Sequence, residues 1–183
     1  MKSLFKFSMI AAMLAIAAPA FAEKTVEVGG APMYPSKNIV ENAVNSKDHT
    51  TLVAAVKAAG LVDTLMSPGP FTVFAPVNAA FDKLPAGTVD TLLKPENKGT
   101  LTSVLTYHVV AGKLSAADLK AKIKAGDGKA TLKTVEGDQL TLSSAGRAIE
   151  ITDTKGDKAM VTIADVNQSN GVIHVIDTVL LPK

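Results

Sequence analysis

Three histidines, His49, His108 and His174, are the side chains of this 183-residue chain best suited to acid–base or metal chemistry. An imidazole titrates near neutral pH and ligates metals, so each is a candidate general base or metal ligand. They lie far apart in the sequence, and the chain has no cysteine. It also has no His-Glu-x-x-His, calcium-loop, phosphate-loop or Gly-x-Ser-x-Gly pattern. The motifs therefore predict no catalytic residue, no cofactor and no metal site.

A histidine–carboxylate pair is the one catalytic arrangement that stays open, with His108 or His174 as the base and Asp177 as its partner. That hypothesis requires an exposed pair in a pocket. The competing interpretation is structural. In an extended strand His174 shares a face with Val172 and Ile176, whereas Asp177 lies on the opposite face. Because buried polar groups need internal partners, we expect all three side chains to be hydrogen-bonded within the fold.

The elements that position these groups centre on residues 69–81, GPFTVFAPVNAAF, which hold three of the six phenylalanines. The β-branched and aromatic residues between Gly-Pro and Pro76 predict a buried strand. Asn78 is then predicted to cap a helix that follows the strand. The residues expected to be structural in this motif are Thr72, Phe74, Pro76, Asn78 and Phe81.

Two further segments of the sequence carry recognisable patterns. Tyr107 and His108 follow the apolar positions of a predicted helix. From Asn170, an Asn-Gly turn signal leads into an almost unbroken apolar strand, GVIHVIDTVLL. In this order and spacing the three segments resemble the signature of the fasciclin domain family. The resemblance covers residues 38–182, which is about the size of one domain.

Periodicity predicts the fold class independently. Apolar residues at helical spacing dominate before residue 129, and short runs that largely alternate apolar and polar residues follow. Such segregation predicts an α+β fold. The resemblance implies a β-wedge of two small sheets flanked by several short helices. Residues 23–37 contain Gly-Gly and two prolines without an apolar period, and are predicted to form an extended N-terminal arm.

Residues 1–22 predict export, because a short basic region, an apolar stretch and the sequence AFA form a signal peptide. The expected location is the periplasm, the extracellular space or the cell surface. The apolar stretch is shorter than the roughly 20 residues of a membrane span, so no stable insertion is expected after cleavage. Loss of Lys2 and Lys6 leaves seventeen basic and seventeen acidic side chains. A chain without net charge and without a basic run lacks the positive surface that nucleic-acid binding requires, so no nucleic-acid partner is expected.

The resemblance also implies where a partner would bind. In the family the Tyr-His pair resembles an internal brace that has also been linked with cell binding. Animal members carry an integrin-binding Asp-Ile pair at the positions of Asp165 and Val166. The Pro and Met beside that pair are absent here. The candidate interaction residues are Tyr107, His108, Asp165, Val166 and Asn167.

Three functions follow from these observations. The resemblance favours a monomeric, non-catalytic module that mediates adhesion or cell-surface and matrix contacts by binding a protein or a polysaccharide. A second hypothesis is a periplasmic carrier of a small apolar ligand, held in a cleft between helices and sheet. The third is the histidine–carboxylate enzyme described above.

Overall fold

The computed structural model describes residues 24–183. The predicted signal peptide, residues 1–22, lies outside the described residues. The strands are β1 (Val26–Val28), β2 (Ala31–Met33), β3 (Phe71–Pro76), β4 (Val109–Ala111), β5 (Lys129–Lys133), β6 (Gln139–Ala145), β7 (Ala148–Thr152), β8 (Lys158–Gln168) and β9 (Gly171–Ile176). The α-helices are α1 (Ile39–Ala43), α2 (Thr50–Ala59), α3 (Val62–Met66), α4 (Asn78–Asp82), α5 (Thr88–Leu92), α6 (Lys98–Tyr107) and α7 (Ala116–Ala125). Short 3-10 turns occupy Lys47–His49 and Pro95–Asn97.

Strands β3 to β9 form one seven-stranded sheet in the order β4-β3-β9-β8-β7-β6-β5. All neighbours are antiparallel except β3 and β9, which run parallel. The two edges of the sheet also approach each other. The amide of Val135, just beyond β5, donates to the carbonyl of Val109 in β4 at 2.8 Å. The sheet is therefore nearly closed.

The α+β class and the several short helices are confirmed, but the expectation that two small sheets form the wedge is wrong, because seven strands form one sheet. Strand β8 is eleven residues long, so its first residues pair with β7 and its later ones with β9. Irregular register between Val161 and Val166 interrupts the pairing with β9, and such bulges bend a strand. One long bent strand thus joins what would otherwise be two sheets.

The N-terminal segment, predicted as an extended arm, contains a hairpin. Strands β1 and β2 pair antiparallel, with Val26 opposite Met33 and Val28 opposite Ala31. Val28 and Met33 are buried and belong to the same apolar cluster as α1 and α2. Each strand has only three residues, too few to show a period in the sequence.

The large sheet has an apolar core on each face, and β9 contributes to both. All six residues of β9 are buried. Ile173 and Val175 belong to the core formed with most of the helices. Ile176 belongs to a second core, which contains Phe74 of β3 and Leu119 of α7. Burial on both faces explains why this strand is an unbroken apolar run rather than an alternating one.

Asn170 and Gly171 fix the start of the pairing between β3 and β9. Phe71 lies opposite Gly171, and a Cβ at position 171 would collide with the Phe71 carbonyl. The Asn170 side chain is buried, accepts from the Ile39 amide at 3.0 Å and donates to the Leu65 carbonyl at 2.7 Å. The sequence marks this pair as a turn. The structure shows that it also ties α1 and α3 to the central strands.

Asn78 supports a different helix from the one predicted. Helix α4 begins at Asn78 itself, with Val77 as its N-cap and no side-chain capping bond. The Asn78 Oδ1 instead accepts from the Thr51 amide at 3.1 Å, in the first turn of α2, and its Nδ2 donates to the Lys47 carbonyl at 2.8 Å. The prediction that Asn78 caps its own helix was wrong, because the free amides that it satisfies belong to α2.

Thr72 holds the segment that follows β4. It is fully buried, and its hydroxyl donates to the Gly112 carbonyl at 2.6 Å and accepts from the Leu114 amide at 2.9 Å. The sequence pattern predicted only that Thr72 is a structural residue of a strand. The structure shows which backbone groups it binds. One hydroxyl satisfies two backbone groups that have no strand partner.

We expect Thr72→Val to lower the free energy of unfolding by about 2 kcal/mol, because both backbone groups lose their partner while side-chain size is conserved. Urea-induced unfolding measures the change. Thr131→Val is the matched control, since Thr131 is an exposed residue of β5, and should change stability by less than about 0.5 kcal/mol. Equal small changes in the two variants would contradict the role assigned to Thr72.

Candidate functional site

His174 is an internal support. The ring is fully buried and stacks on Phe74 with centroids 5.8 Å apart. Its Nε2–H donates to the Leu114 carbonyl at 2.8 Å, and its Nδ1 accepts from the Asp165 amide at 3.3 Å. Burial lowers the pKa of His174 despite the hydrogen bond to the Leu114 carbonyl. A neutral ring therefore links β9 to the loop before α7 and to β8.

His108 joins helix α6 to the C-terminal segment. Its Nδ1–H donates to the Val104 carbonyl at 2.7 Å, and its Nε2 accepts from the Leu180 amide at 3.0 Å. Burial lowers its pKa to about 4, against smaller opposing effects of the Val104 carbonyl and Asp153. Both nitrogens are committed to the backbone, so the ring is not free to act as a base.

Tyr107, the neighbour of His108, adds further hydrogen bonds between α6 and distant parts of the chain. It is fully buried, and its hydroxyl donates to the Gln139 carbonyl at 3.0 Å and accepts from the Thr154 amide at 3.1 Å. Its ring packs edge-on against His108, with centroids 6.5 Å apart. The Tyr-His pair thus connects α6 with three distant parts of the chain. Its burial corrects the expectation that Tyr107 and His108 contact a partner directly.

Asp177 does not pair with a histidine. Its Oδ1 accepts from the Met160 amide at 2.8 Å and from the Thr178 hydroxyl at 3.0 Å, and its Oδ2 lies 3.7 Å from the Lys83 ammonium. It lies just beyond the end of β9 at Ile176, so the strand alternation predicted for it does not extend to this residue. The exposed pair with His108 or His174 that the enzyme hypothesis required is therefore absent from the described part of the chain.

Asp165 holds the first turn of α7. Its backbone is left-handed, with φ of 58°, inside the irregular part of β8. This conformation aims Oδ1 at the Ala116 amide, which donates to it at 2.7 Å. Val166, the next residue, is 1% exposed, and Asn167 is exposed. The expected contact role of Val166 is wrong, because its side chain belongs to the helical core. Of the candidate residues Asp165, Val166 and Asn167, Asn167 is the one with an exposed side chain.

A surface depression of about 300 Å³ adjoins this bulge. We call it the basic groove. Its cations are Lys120 of α7 and Arg147 of the turn between β6 and β7, both exposed. Neither forms an ion pair with another described residue. Its other lining residues, mostly small or apolar, are Ala116, Ala148, Ile149, Val161, Thr162 and Ala164.

The sequence did not predict the basic groove. The Lys-rich sequence KAKIK at residues 120–124 predicts the solvated face and end of a helix and leaves weak contact with acidic sugars open, whereas Arg147 carried no signal at all. The residues come from three separate elements that the nearly closed sheet brings together. Only the Gly-containing turn at residues 145–148 could have indicated that Arg147 is displayed at the end of a hairpin.

The described residues contain no cluster of three or more His, Cys, Asp or Glu side chains arranged to hold a metal ion. Within residues 24–183, no helix combines the length and apolar character that crossing a membrane would require.

The geometry defines an α+β domain in which Thr72, Tyr107, His108 and His174 are internal supports around two central parallel strands. The family model of the fasciclin domain matches residues 47–182. The chain belongs to the fasciclin domain family, which confirms the resemblance seen in the three sequence segments.

Relatives and a solved structure agree with this assignment. Protein sll1483 of Synechocystis is 48% identical over 160 residues, which cover 87% of this chain and 82% of that protein. The cell surface glycolipoprotein MPB83 of Mycobacterium bovis is 40% identical over 145 residues, which cover 76% of this chain and 58% of MPB83. A domain pair from the insect cell adhesion molecule fasciclin I matches with a TM-score of 0.70 and 20% identity, over 87% of this chain and 58% of that one. The last match shows the fold alone. None of the three is named as an enzyme.

We expect acid to destabilise the protein through His108. The folded pKa of about 4 lies below the unfolded value of about 6.5, so unfolding takes up a proton as the pH falls between them. The stabilisation is complete above pH 6.5 and about 3 kcal/mol of it is lost by pH 4. Burial also lowers the pKa values of His49 and His174, which adds in the same direction. Urea unfolding from pH 7 to pH 4 measures the sum.

His108→Gln isolates the contribution of that ring. The variant should be less stable than the wild type at pH 7, since it cannot reproduce both hydrogen bonds. The difference between the two proteins should shrink as the pH falls, because only the wild type is destabilised by protonation at position 108. A difference that stays constant with pH would rule out this explanation.

Asp165→Ala should lower the free energy of unfolding by about 1–2 kcal/mol, because the first turn of α7 loses an acceptor and alanine tolerates a positive φ poorly. Thermal unfolding followed by circular dichroism measures the loss. Asn167→Ala is the control on the same strand and should remain within about 0.5 kcal/mol of the wild type. A larger loss for Asn167→Ala than for Asp165→Ala would contradict the structural role of Asp165.

Proposed function

We propose that the protein is an exported, non-catalytic adhesion module that binds an anionic polysaccharide of a cell surface or matrix through the basic groove. The basic groove is the single observation that carries this proposal. It holds two cations, and no acidic side chain lies in its lining.

The chemistry of the groove favours an acidic sugar polymer. The Arg147 guanidinium can bind a carboxylate or sulfate in a bidentate manner, and the Lys120 ammonium adds a point charge. Small residues such as Ala148 and Ala164 leave room for the apolar face of a sugar ring between the two cations. Because the chain expected after signal cleavage is formally neutral, such binding depends on local rather than net charge.

The candidate interaction residues that remain accessible lie close to the groove along β8. Ala164 lines the groove, Asp165 anchors the helix that carries Lys120, and Asn167 is exposed three positions further on. The proposal therefore keeps Asn167 as a contact residue and gives Asp165 a supporting role. Strands β7 and β8 supply most of the other lining residues, whereas the two cations come from helix α7 and from the turn between β6 and β7.

The name of one relative supports a role at the cell surface. MPB83 is named as a cell surface glycolipoprotein. Export of this chain rests on residues 1–22, whose pattern is that of a signal peptide.

The test measures binding of the purified protein to immobilised polygalacturonate and to immobilised neutral dextran. We expect saturable binding to polygalacturonate alone, weakened by added salt because exposed charge pairs are screened. Lys120→Gln/Arg147→Gln should weaken binding roughly tenfold or more, through the loss of charge-assisted hydrogen bonds.

Lys94→Gln/Lys98→Gln is the matched control, since it removes two exposed cations that lie outside the groove. This control should bind like the wild type. If the two double variants lose affinity equally, the attraction is non-specific and the groove is not the site. Binding to dextran as tight as to polygalacturonate would also refute the proposal.

A further inference from the structure

Residues 178–183, which we call the C-terminal strap, follow the last strand and form neither helix nor strand. The strap nevertheless contributes to both cores. Val179 is buried in the core formed with most of the helices, and Leu180 is fully buried in the core that contains Phe74 and Leu119. Both cores are therefore complete only while the strap is attached.

Side chains rather than a neighbouring strand hold the strap. Among the described residues, the backbone-to-backbone hydrogen bonds of this part of the chain end at Asp177, whose amide donates to the Met160 carbonyl at 3.2 Å. Three amides of the strap then donate to side chains elsewhere in the fold. Leu180 donates to Nε2 of His108 at 3.0 Å, Leu181 to Oδ2 of Asp153 at 2.9 Å and Lys183 to Oδ2 of Asp138 at 3.3 Å. All three acceptors belong to groups that acid can protonate.

Asp153 is the acceptor on which most amides converge. It is 6% exposed, and its Oδ1 accepts from the amides of Lys155 and Asp157, both at 2.9 Å. An ionised carboxylate only accepts hydrogen bonds, whereas a protonated one carries a donor on one oxygen. Because Oδ1 already serves two amides, a proton added to Asp153 would reside on Oδ2 and would face the N–H of Leu181. Protonation therefore weakens the attachment at Leu181.

His108 has the same dependence on protonation. Its Nδ1–H donates to the Val104 carbonyl, so Nε2 accepts from Leu180 only while the ring is neutral. Burial lowers the pKa of His108 to about 4, against smaller opposing effects of the Val104 carbonyl and Asp153. Detachment of the strap would give Nε2 access to water and raise this pKa toward its ordinary value of about 6.5. Attachment is thus complete above pH 6.5 and weakens as the pH falls toward 4.

The remaining titratable groups near the strap do not oppose its release. The Lys83 ammonium donates to the Asp177 carbonyl at 2.7 Å and lies 3.7 Å from its carboxylate. A carbonyl does not titrate, so this contact holds the residue before the strap in acid as well. Burial raises the pKa of Tyr107, so its hydroxyl keeps its proton throughout the acid range. Asp177 is accordingly the fixed point beyond which the chain can move.

We propose that mild acid detaches the C-terminal strap beyond Asp177 while the seven-stranded sheet stays folded. The three bonds that hold the strap end on protonatable side chains, whereas β3 and β9 pair through backbone groups, which do not titrate. Detachment withdraws Val179 and Leu180 from the two cores and exposes apolar surface that is covered near pH 7. This device is independent of the polysaccharide binding proposed for the basic groove.

The test is ¹H–¹⁵N NMR of the purified protein between pH 7 and pH 4. The ¹⁵N–¹H NOE reports the order of each amide on the fast timescale. We expect the NOE of the Leu180 and Leu181 amides to fall at a higher pH than the NOE of Phe74 and Val175, which lie in the paired strands β3 and β9.

Asp153→Asn reproduces one consequence of acid at neutral pH. Its side-chain oxygen can serve the Lys155 and Asp157 amides, which leaves its NH₂ group facing the Leu181 N–H. Loss of one charge-assisted bond should raise the detached population roughly tenfold at a given pH. Asp157→Asn is the matched control, since it makes the same change of charge at an exposed residue whose side chain does not bind the strap. It should behave like the wild type.

The proposal is overturned if the strap and the paired strands lose order at the same pH, which would show that only global unfolding occurs. It is also overturned if the strap stays ordered to pH 4, or if Asp157→Asn promotes detachment as much as Asp153→Asn does. Should Asp153→Asn fail to fold, the comparison of strap and strands in the wild type decides alone. None of these outcomes depends on binding to polygalacturonate.

Discussion

The parallel pairing of β3 with β9 is the constraint on which the rest of the structure depends. It joins two segments that lie far apart in the sequence and aligns them residue by residue from Phe71–Gly171 to Pro76–Ile176. Alternate side chains of these strands enter opposite cores, so the pairing sets the position of the helical layer and of the curled half of the sheet together. The absence of a side chain at Gly171 is what permits the first step of this alignment.

The polar residues around the two strands hold the fold together through hydrogen bonds to the backbone. They act as structural connectors. His108 and His174 each bind two backbone groups from different parts of the chain, and Thr72 binds two groups of the segment that follows β4. An imidazole suits this task because its two nitrogens face different directions, one donating and the other accepting. Each ring does so only while neutral, which burial ensures near pH 7. The basic groove, which is the surface proposed to bind a partner, contains none of these three residues in its lining.

Prediction from the sequence succeeded where a residue's role follows from its neighbours in the chain. The apolar run of β9 and the α+β class both follow from periodicity. It failed where the partner is distant. Asn78 was assigned to its own helix because the sequence does not reveal that α2 lies beside it. Val166 was placed on the surface because the irregular register of β8 shifts which residues turn inward. The basic groove depends wholly on tertiary packing.

The position of β9 within the sheet has a consequence for biosynthesis. It is the last strand along the described chain, yet it lies between β3 and β8 in the sheet order. When the ribosome has synthesised the chain only as far as β8, the core is incomplete and β3 has no β9 with which to pair. The domain therefore completes folding only after nearly all of it has been synthesised, since long-range pairing must wait for its second strand. Under the export proposed above, such late folding would leave the nascent polypeptide unfolded for passage through a narrow secretion channel.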